Sequence, residues 1–104
     1  MQCLEIIELR SADSNREELM QRFNKLVIEV DKEAENTSIK IYNRVNINID
    51  FSIHLLHNSE KIDYNGSQLG LSLASELKDF GLINHAVWLE YKKVSLTKFM
   101  GFEE

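Results

Sequence analysis

The sequence predicts an α+β domain in which two helices cover one face of a four-stranded antiparallel sheet. Three observations support this prediction. Residues 66–91 read as a capped amphipathic helix followed by a β-type run, and residues 39–57 alternate between apolar and polar side chains. An apolar run near the N-terminus precedes another amphipathic stretch. The resulting element order is β-α-β-β-α-β, and its helices can cover only one face of the sheet.

The first predicted strand runs from Cys3 to Leu9 and carries apolar side chains on both faces, which is typical of a strand covered on both sides. A helix is predicted from about Asn15 to Glu33. Its apolar stripe consists of Leu19, Phe23, Leu26, Val27, Val30 and Ala34. Ile28 lies nearly opposite this stripe, and it is either a simple exposed residue or a contact with a second subunit.

The middle of the chain alternates from Ile39 onwards, with Ile39, Ile41, Val45, Ile47 and Ile49 on one face and Lys40, Tyr42, Arg44, Asn46 and Asn48 on the other. The β-type character continues to residue 57, which is too long for one ordinary strand. We therefore expect a hairpin with its reversal between Arg44 and Asp50. No Asn-Gly or Asp-Gly pair fixes the register there.

The second helix carries apolar side chains at helical spacing, namely Leu69, Leu73, Leu77 and Phe80. Ser67 is a suitable N-cap, and the Gly66-Ser67 amides that open this helix could hold an anion. Gly81 falls where a left-handed C-cap glycine is common. The last strand is predicted from His85 to Val94, with Trp88 as its largest apolar anchor.

Composition fits a single domain over residues 1–104, with a short C-terminal extension at about 95–104. The apolar residues of that extension predict that it docks on its own domain or on a neighbour. A net charge of −5 argues against nucleic acid and an anionic membrane surface. Cys3 is the single cysteine, and we recognise neither a signal peptide nor a membrane span, so we expect a cytoplasmic protein.

The βαββαβ order is the ferredoxin-like pattern, and it leaves one face of the sheet without helices. The first strand is nevertheless apolar on both sides. Packing the open faces of two copies together would cover the surplus apolar surface. We therefore expect a symmetric homodimer.

In length and element order the chain resembles the dimeric α+β barrel proteins, which include antibiotic-biosynthesis-type monooxygenases, haem-degrading monooxygenases and stress-responsive barrel proteins. The strings Asp50-Phe-Ser-Ile-His-Leu and Gly70-Leu-Ser-Leu-Ala-Ser-Glu-Leu-Lys-Asp-Phe-Gly-Leu-Ile-Asn-His-Ala-Val-Trp also resemble those of short, uncharacterised prokaryotic proteins. The resemblance implies a fold and a family rather than an activity. The Asn, Trp and His of the haem-degrading members do not map onto this sequence, so His85 and Trp88 receive no role from it.

The sequence contains three histidines, which are candidates for acid–base or metal chemistry. His54 and His57 are three residues apart, so on one strand they point to opposite faces, and His85 could join only one of them. We therefore predict no metal site. His54 lies on the face of Asp50 and Ser52, and with a suitable cross-strand partner it could act as a general base, which makes it the catalytic candidate.

Five side chains are the candidate ligand-binding residues: Tyr42, Arg44, His57, His85 and Trp88. Tyr42 and Arg44 could line a cleft or simply face solvent. Two functions remain open, namely a homodimer that binds a small organic molecule, by resemblance a cofactor-free oxygenase, and a non-catalytic structural or interaction module. The enzyme should have a closed pocket between the second helix and the sheet, with His54 or Arg44 opening into it, whereas an interaction module should have those side chains in the dimer contact or in solvent.

Overall fold

The computed structural model describes residues 2–12, 14, 16–59, 61 and 63–91. Its elements are β1 (Gln2–Ser11), α1 (Arg16–Glu33), β2 (Thr37–Asn43), β3 (Asp50–Asn58), α2 (Gln68–Leu77) and β4 (Gly81–Leu89). The β-α-β-β-α-β order is confirmed. The predicted C-terminal extension lies outside the described residues. The last strand, predicted from His85 to Val94, begins earlier, at Gly81, and ends at Leu89. Neither helix described here is long and apolar enough to cross a membrane.

The four strands form one antiparallel sheet in the order β2-β3-β1-β4. β1 lies in the centre, where Ile7 pairs with Ile53 of β3 on one side and with His85 of β4 on the other. The chain therefore has the ferredoxin-like α+β fold that the element order predicted.

The core lies between the two helices and one face of the sheet. That face is formed by odd-numbered strand residues, because side chains alternate along a strand. The buried cluster comprises Ile7, Leu9, Leu19, Phe23, Leu26, Val30, Ile39, Phe51, Ile53, Leu55, Leu73, Ala74, Leu77 and Phe80. Phe23 of α1 meets Phe51 of β3 edge to face, with ring centroids 5.1 Å apart. The two predicted helical stripes supply half of this core.

The opposite face of the sheet, called the open face below, carries the even-numbered strand residues. One end of it is apolar and consists of Leu4, Ile6, Leu56, Ala86 and Trp88. The other end is polar and consists mainly of Glu8, Arg10, Asp50, Ser52 and Asn84. Trp88, predicted as the largest anchor of the last strand, is 59% exposed and is not part of the core between the helices and the sheet. It pairs across the strands with Leu4 and therefore points away from the helices.

The predicted hairpin reversal is confirmed between β2 and β3. Arg44 and Asp50 close it through a backbone hydrogen bond of 2.9 Å from the amide of Arg44 to the carbonyl of Asp50. Asn46 takes the left-handed φ of 65° that the turn requires. Val45, predicted to lie on the same face as Ile39 and Ile41, is 82% exposed because β2 ends before it and the alternation stops there.

The second helix begins as predicted, with the Ser67 hydroxyl accepting a 2.9 Å hydrogen bond from the amide of Gly70. The predicted end is wrong, since Gly81 is not a left-handed cap but the first residue of β4. β4 starts there because its pairing with β1 extends to Ser11. A Cβ at Gly81 would lie 2.0 Å from the carbonyl oxygen of Arg10, so the close backbone approach requires glycine.

Candidate functional site

Glu5 is a carboxylate in the core. It lies on β1 between Cys3 and Ile7 in the core-facing row, and only 1% of its surface is exposed. Glu5 and Ser11 are the buried polar residues of the described part of the chain. A charged group in this position is stable only when its hydrogen-bonding capacity is satisfied, because burial removes it from water.

Four hydrogen bonds satisfy the Glu5 carboxylate. Oε1 accepts from His57 Nε2 at 2.8 Å and from the Ser67 hydroxyl at 2.6 Å. Oε2 accepts from His85 Nε2 at 2.5 Å and from the Ser67 amide at 3.1 Å. Each oxygen therefore receives one imidazole and one group of Ser67. We call these four residues, Glu5, His57, Ser67 and His85, the Glu5 cluster.

The sheet register brings the two imidazoles to Glu5 from opposite sides. β1 is flanked by β3 and β4, where His57 pairs with Cys3 and His85 pairs with Ile7. Cys3 and Ile7 are the residues two before and two after Glu5. Each imidazole is thus a diagonal neighbour of the carboxylate on the same face, within reach of a long side chain.

The N-terminus of α2 completes the site from above the sheet. Gly66 has a φ of +110°, and a Cβ on Gly70 would lie 1.9 Å from Oε2 of Glu5. Both glycines therefore let the start of the helix approach the carboxylate closely. The amides and the dipole at a helix N-terminus favour an anion, and here the anion is a side chain of the same protein.

The pKa of Glu5 reflects two opposing effects. Burial alone raises it, but the hydrogen bonds from Ser67, His57 and His85 outweigh burial and hold the pKa below the usual value of 4.5. Glu5 is therefore ionised at neutral pH. An ionised carboxylate only accepts hydrogen bonds, so the Nε2 atoms of both imidazoles carry the hydrogens that they donate.

A cavity of about 300 Å³ opens beside the Glu5 cluster. Most of the residues that line it are of polar type, namely Cys3, Glu5, Glu35, Asn36, Thr37, His57, Ser59, Lys61, Asp63, Ser67 and Val87. His57 is one of these residues, and its second ring nitrogen, Nδ1, lies 2.9 Å from the hydroxyl of Thr37, which also lines the cavity. Burial raises the pKa of the Cys3 thiol, and the charges of Glu5 and Asp63 raise it further, so Cys3 is protonated rather than nucleophilic.

Chemically, this arrangement is suited to proton transfer. Because Nε2–H of His57 donates to Glu5, Nδ1 is the basic nitrogen, and it faces Thr37 at the cavity wall. The carboxylate orients the ring by accepting the hydrogen bond from its Nε2. Within the described residues, no group of three or more His, Cys, Asp and Glu is arranged to hold a metal ion. His57 and His85 converge on a carboxylate that already hydrogen-bonds both.

The structure places the catalytic candidate His54 on the open face, opposite to His57 as the spacing predicted. Its Nε2 lies 2.9 Å from the hydroxyl of Ser52, and the centroids of the His54 and Tyr42 rings are 4.8 Å apart. Its cross-strand neighbours are Ile6 and Lys40. These neighbours do not supply the carboxylate partner that a general base at His54 would use.

Arg44 and Tyr42 line a larger cavity of about 510 Å³ on the open face, together with Glu8, Leu9, Arg10, Asn43, Asp50, Phe51, Ser52, Leu82 and Asn84. The expectation that His54 or Arg44 opens into a pocket between the second helix and the sheet is therefore wrong. His54 has an even number on β3 and points to the other face, whereas Arg44 follows the end of β2 at Asn43 and lines the open-face cavity. Trp88 lines a hollow of about 250 Å³ at the apolar end.

Glu5, Ser67 and Thr37 were not among the site residues predicted from the sequence. The signal for Glu5 was a charged residue at a core-facing position of a strand that is apolar on both faces. The signal for Ser67 was the helix opening at Gly66-Ser67, whose amide does hold an anion.

The fold and the cluster define this protein as a ferredoxin-like α+β domain with a buried carboxylate between two imidazoles. The sequence matches no protein-family model and no curated protein. Among solved structures, the chain is similar to Rv0793 from Mycobacterium tuberculosis, with a TM-score of 0.67 and 11% sequence identity over 91% of this chain and 100% of that chain. At this identity the likeness shows the fold alone.

Proposed function

We propose that this protein binds a small organic molecule in the cavity beside Glu5 and that His57 exchanges a proton with it. The observation that carries the proposal is the fully hydrogen-bonded, buried Glu5 carboxylate at the cavity wall. Buried titratable groups next to a cavity are typical of functional sites. A volume of about 300 Å³ lies at the lower end for ligand pockets and fits a metabolite-sized molecule.

In this proposal Nδ1 of His57 is the base. The substrate takes the place of the Thr37 hydroxyl, or that hydroxyl passes the proton between substrate and ring. Glu5 holds the ring by Nε2–H and stabilises the imidazolium that forms. His54 has no part in this step, since it lies on the other face of the sheet.

The resemblance to cofactor-free monooxygenases adds a reaction class to the proposal. His57 removes a proton from a substrate carbon, and the carbanion supplies the electrons that reduce O₂ as the carbon–oxygen bond forms. The proton then returns from the imidazolium to the peroxide oxygen, which gives an organic hydroperoxide. This step needs no cofactor.

The proposal includes a homodimer formed through the open face. Leu4, Leu56 and Trp88 give this face an apolar end. The open face consists of four strands about 4.8 Å apart and about eight residues long, so its projected area is roughly 500 Å². A standard interface buries about 800 Å² per partner, which is more than this area, so a dimer contact at the apolar end has to extend past the edge of the sheet.

A specific observation favours the second candidate, a non-catalytic structural or interaction module. The Glu5 cluster is satisfied without any ligand, and it fastens the N-terminus of α2 to the sheet. In that case the buried charges serve only to fix the position of the helix.

A fragment screen by two-dimensional NMR of the ¹⁵N-labelled protein separates the two functions. Binding in the cavity shifts the amide signals of Thr37 and Ser67, and His57→Gln removes the binding while the matched control His54→Gln leaves it intact. A module shows no fragment that shifts these amides at about 1 mM, the range in which fragments bind. That result would remove the ligand-binding proposal.

Light scattering after size-exclusion chromatography tests the dimer independently. We expect Trp88→Glu to give a monomer, because it places a charge at the apolar end of the open face. Ile28→Glu is the control, since Ile28 is exposed on α1 at the other side of the domain. A wild-type protein that is monomeric at micromolar concentration refutes the dimer, and a monomer produced by Ile28→Glu alone moves the interface to the helices.

A further inference from the structure

The polar end of the open face contains two guanidinium groups that share one carboxylate. Arg10 and Asp50 are directly paired across β1 and β3. Arg10 donates from Nε to Oδ1 at 2.8 Å and from Nη2 to Oδ2 at 3.0 Å, so one guanidinium occupies both oxygens. This bidentate bond from Arg10 holds the pKa of Asp50 below its usual range.

Arg44 is the second guanidinium. Its positive charge is not balanced, because the negative charge of Asp50 is already paired with Arg10. Its Nη1 lies 3.4 Å from Oδ2, near the outer limit for a hydrogen bond. Its side chain is largely exposed at the wall of the open-face cavity. The planar donor fork of Arg44 is therefore available to a second anion.

The remaining wall of this cavity supplies apolar surface, and its one further charge determines at which end an anion binds. Tyr42 and Leu82 line it, and they are 49% and 76% exposed, respectively. Glu8 lies on β1, where its Oε1 accepts a 3.1 Å hydrogen bond from Nδ2 of the Asn84 side chain. Its negative charge disfavours an anion on that side, which leaves Arg44 as the anion-binding end.

We propose that the open-face cavity binds a small organic anion, with its carboxylate or phosphate on Arg44 and its apolar body on Tyr42 and Leu82. The volume of about 510 Å³ suits a molecule the size of an aromatic acid. This site is on the opposite face from the Glu5 cluster, so the inference does not depend on the chemistry proposed at His57. It rests on the proposed dimer in one respect, namely that the contact is at the apolar end of the open face and leaves the polar end, with this cavity, accessible.

The test compares three probes that share one ring: benzoate, phenylphosphate and the neutral benzyl alcohol. Each is titrated into the ¹⁵N-labelled protein up to about 10 mM, which covers the affinity range of weak ligands. We expect both anions to shift the amides of Tyr42 and Arg44, and benzyl alcohol to bind at least about tenfold more weakly, because a charge-assisted bidentate bond is lost. Arg44→Gln should weaken both anions about tenfold or more.

Lys40→Gln is the matched control, since Lys40 is on the same strand and face as Tyr42 but does not line the cavity. It removes one positive charge and should leave the affinities unchanged. Binding of only one anion assigns the source as carboxylate or phosphate. Equal binding of benzyl alcohol, equal losses in both variants, or no shifts at about 10 mM would overturn the proposal.

Discussion

The substitution Glu5→Gln tests the central feature of the core at constant shape. Glutamine is nearly isosteric with glutamate, but it removes the charge and replaces one acceptor oxygen by an NH₂ donor. Four donors point at this carboxylate, two of them on each oxygen. The amide oxygen of glutamine can accept from two of these donors. The other two buried donors then point at the NH₂ group, which is itself a donor.

The magnitude follows from those unpaired donors. Each unpaired donor costs about 1–3 kcal/mol when it is buried without a partner. An imidazole that changes tautomer can accept from the new NH₂ group, which lowers the combined cost of the two donors. We expect a loss of about 2–4 kcal/mol. That is a large fraction of the roughly 5–15 kcal/mol by which a domain is stable. A domain of this size loses about 4–8 °C in Tm for each kcal/mol.

Urea unfolding followed by circular dichroism at pH 7 measures this loss. Glu8→Gln is the matched control, because Glu8 is on the same strand but faces the open side. We expect it to change stability by no more than about 0.5 kcal/mol. If the Glu5 and Glu8 variants unfold at the same urea concentration, the carboxylate is not holding the helix to the sheet, and our account of the core fails.

Three further predictions follow from the same contacts. The stability supplied by ionised Glu5 is present above its unfolded pKa, usually 4.5, and is lost as pH falls through the lower folded pKa, so urea midpoints of wild type and Glu5→Gln should converge below pH 4.5. Gly70→Ala should cost about 1–3 kcal/mol because its Cβ meets Glu5, and less in a Glu5→Ala background. A double-mutant cycle of Arg22→Gln and Glu76→Gln should give a coupling of about 1 kcal/mol, since their bidentate pair joins α1 to α2 at the surface; zero coupling would contradict it.

The sequence was sufficient for the fold because periodicity carries that information. Alternation through Ile39 and Ile41 and the helical stripe from Leu69 to Leu77 each state which face is buried. Gly81 shows the limit of this reasoning. A glycine after a helix is compatible with both a left-handed cap and a close strand approach, and only the pairing of β4 with β1 decides between them.

The candidate site was less predictable because it depends on register. His57 and His85 were selected from the sequence, but their meeting point is a residue on a third strand, and one-residue shifts in pairing would move either imidazole to the other face. Trp88 illustrates the same effect, because its side of β4 is fixed by its pairing with Leu4. Residue type made His57, His85 and Trp88 candidates, whereas the pairing of the strands determines which side chains each of them contacts.

Within the described residues, Glu5 is the one charged side chain of the core. Core neighbours such as Ile7 and Leu55 show that apolar side chains fill this layer, and buried ionic groups can often be replaced by apolar ones without loss of stability. Removing one member alone is costly because it leaves the others unpaired, so the sensitivity of Glu5→Gln measures mutual dependence, not a stability advantage. What the cluster adds over an apolar core is an oriented imidazole, His57, at the wall of a cavity. That addition is the physical reason for preferring a site with chemistry over a helix anchor.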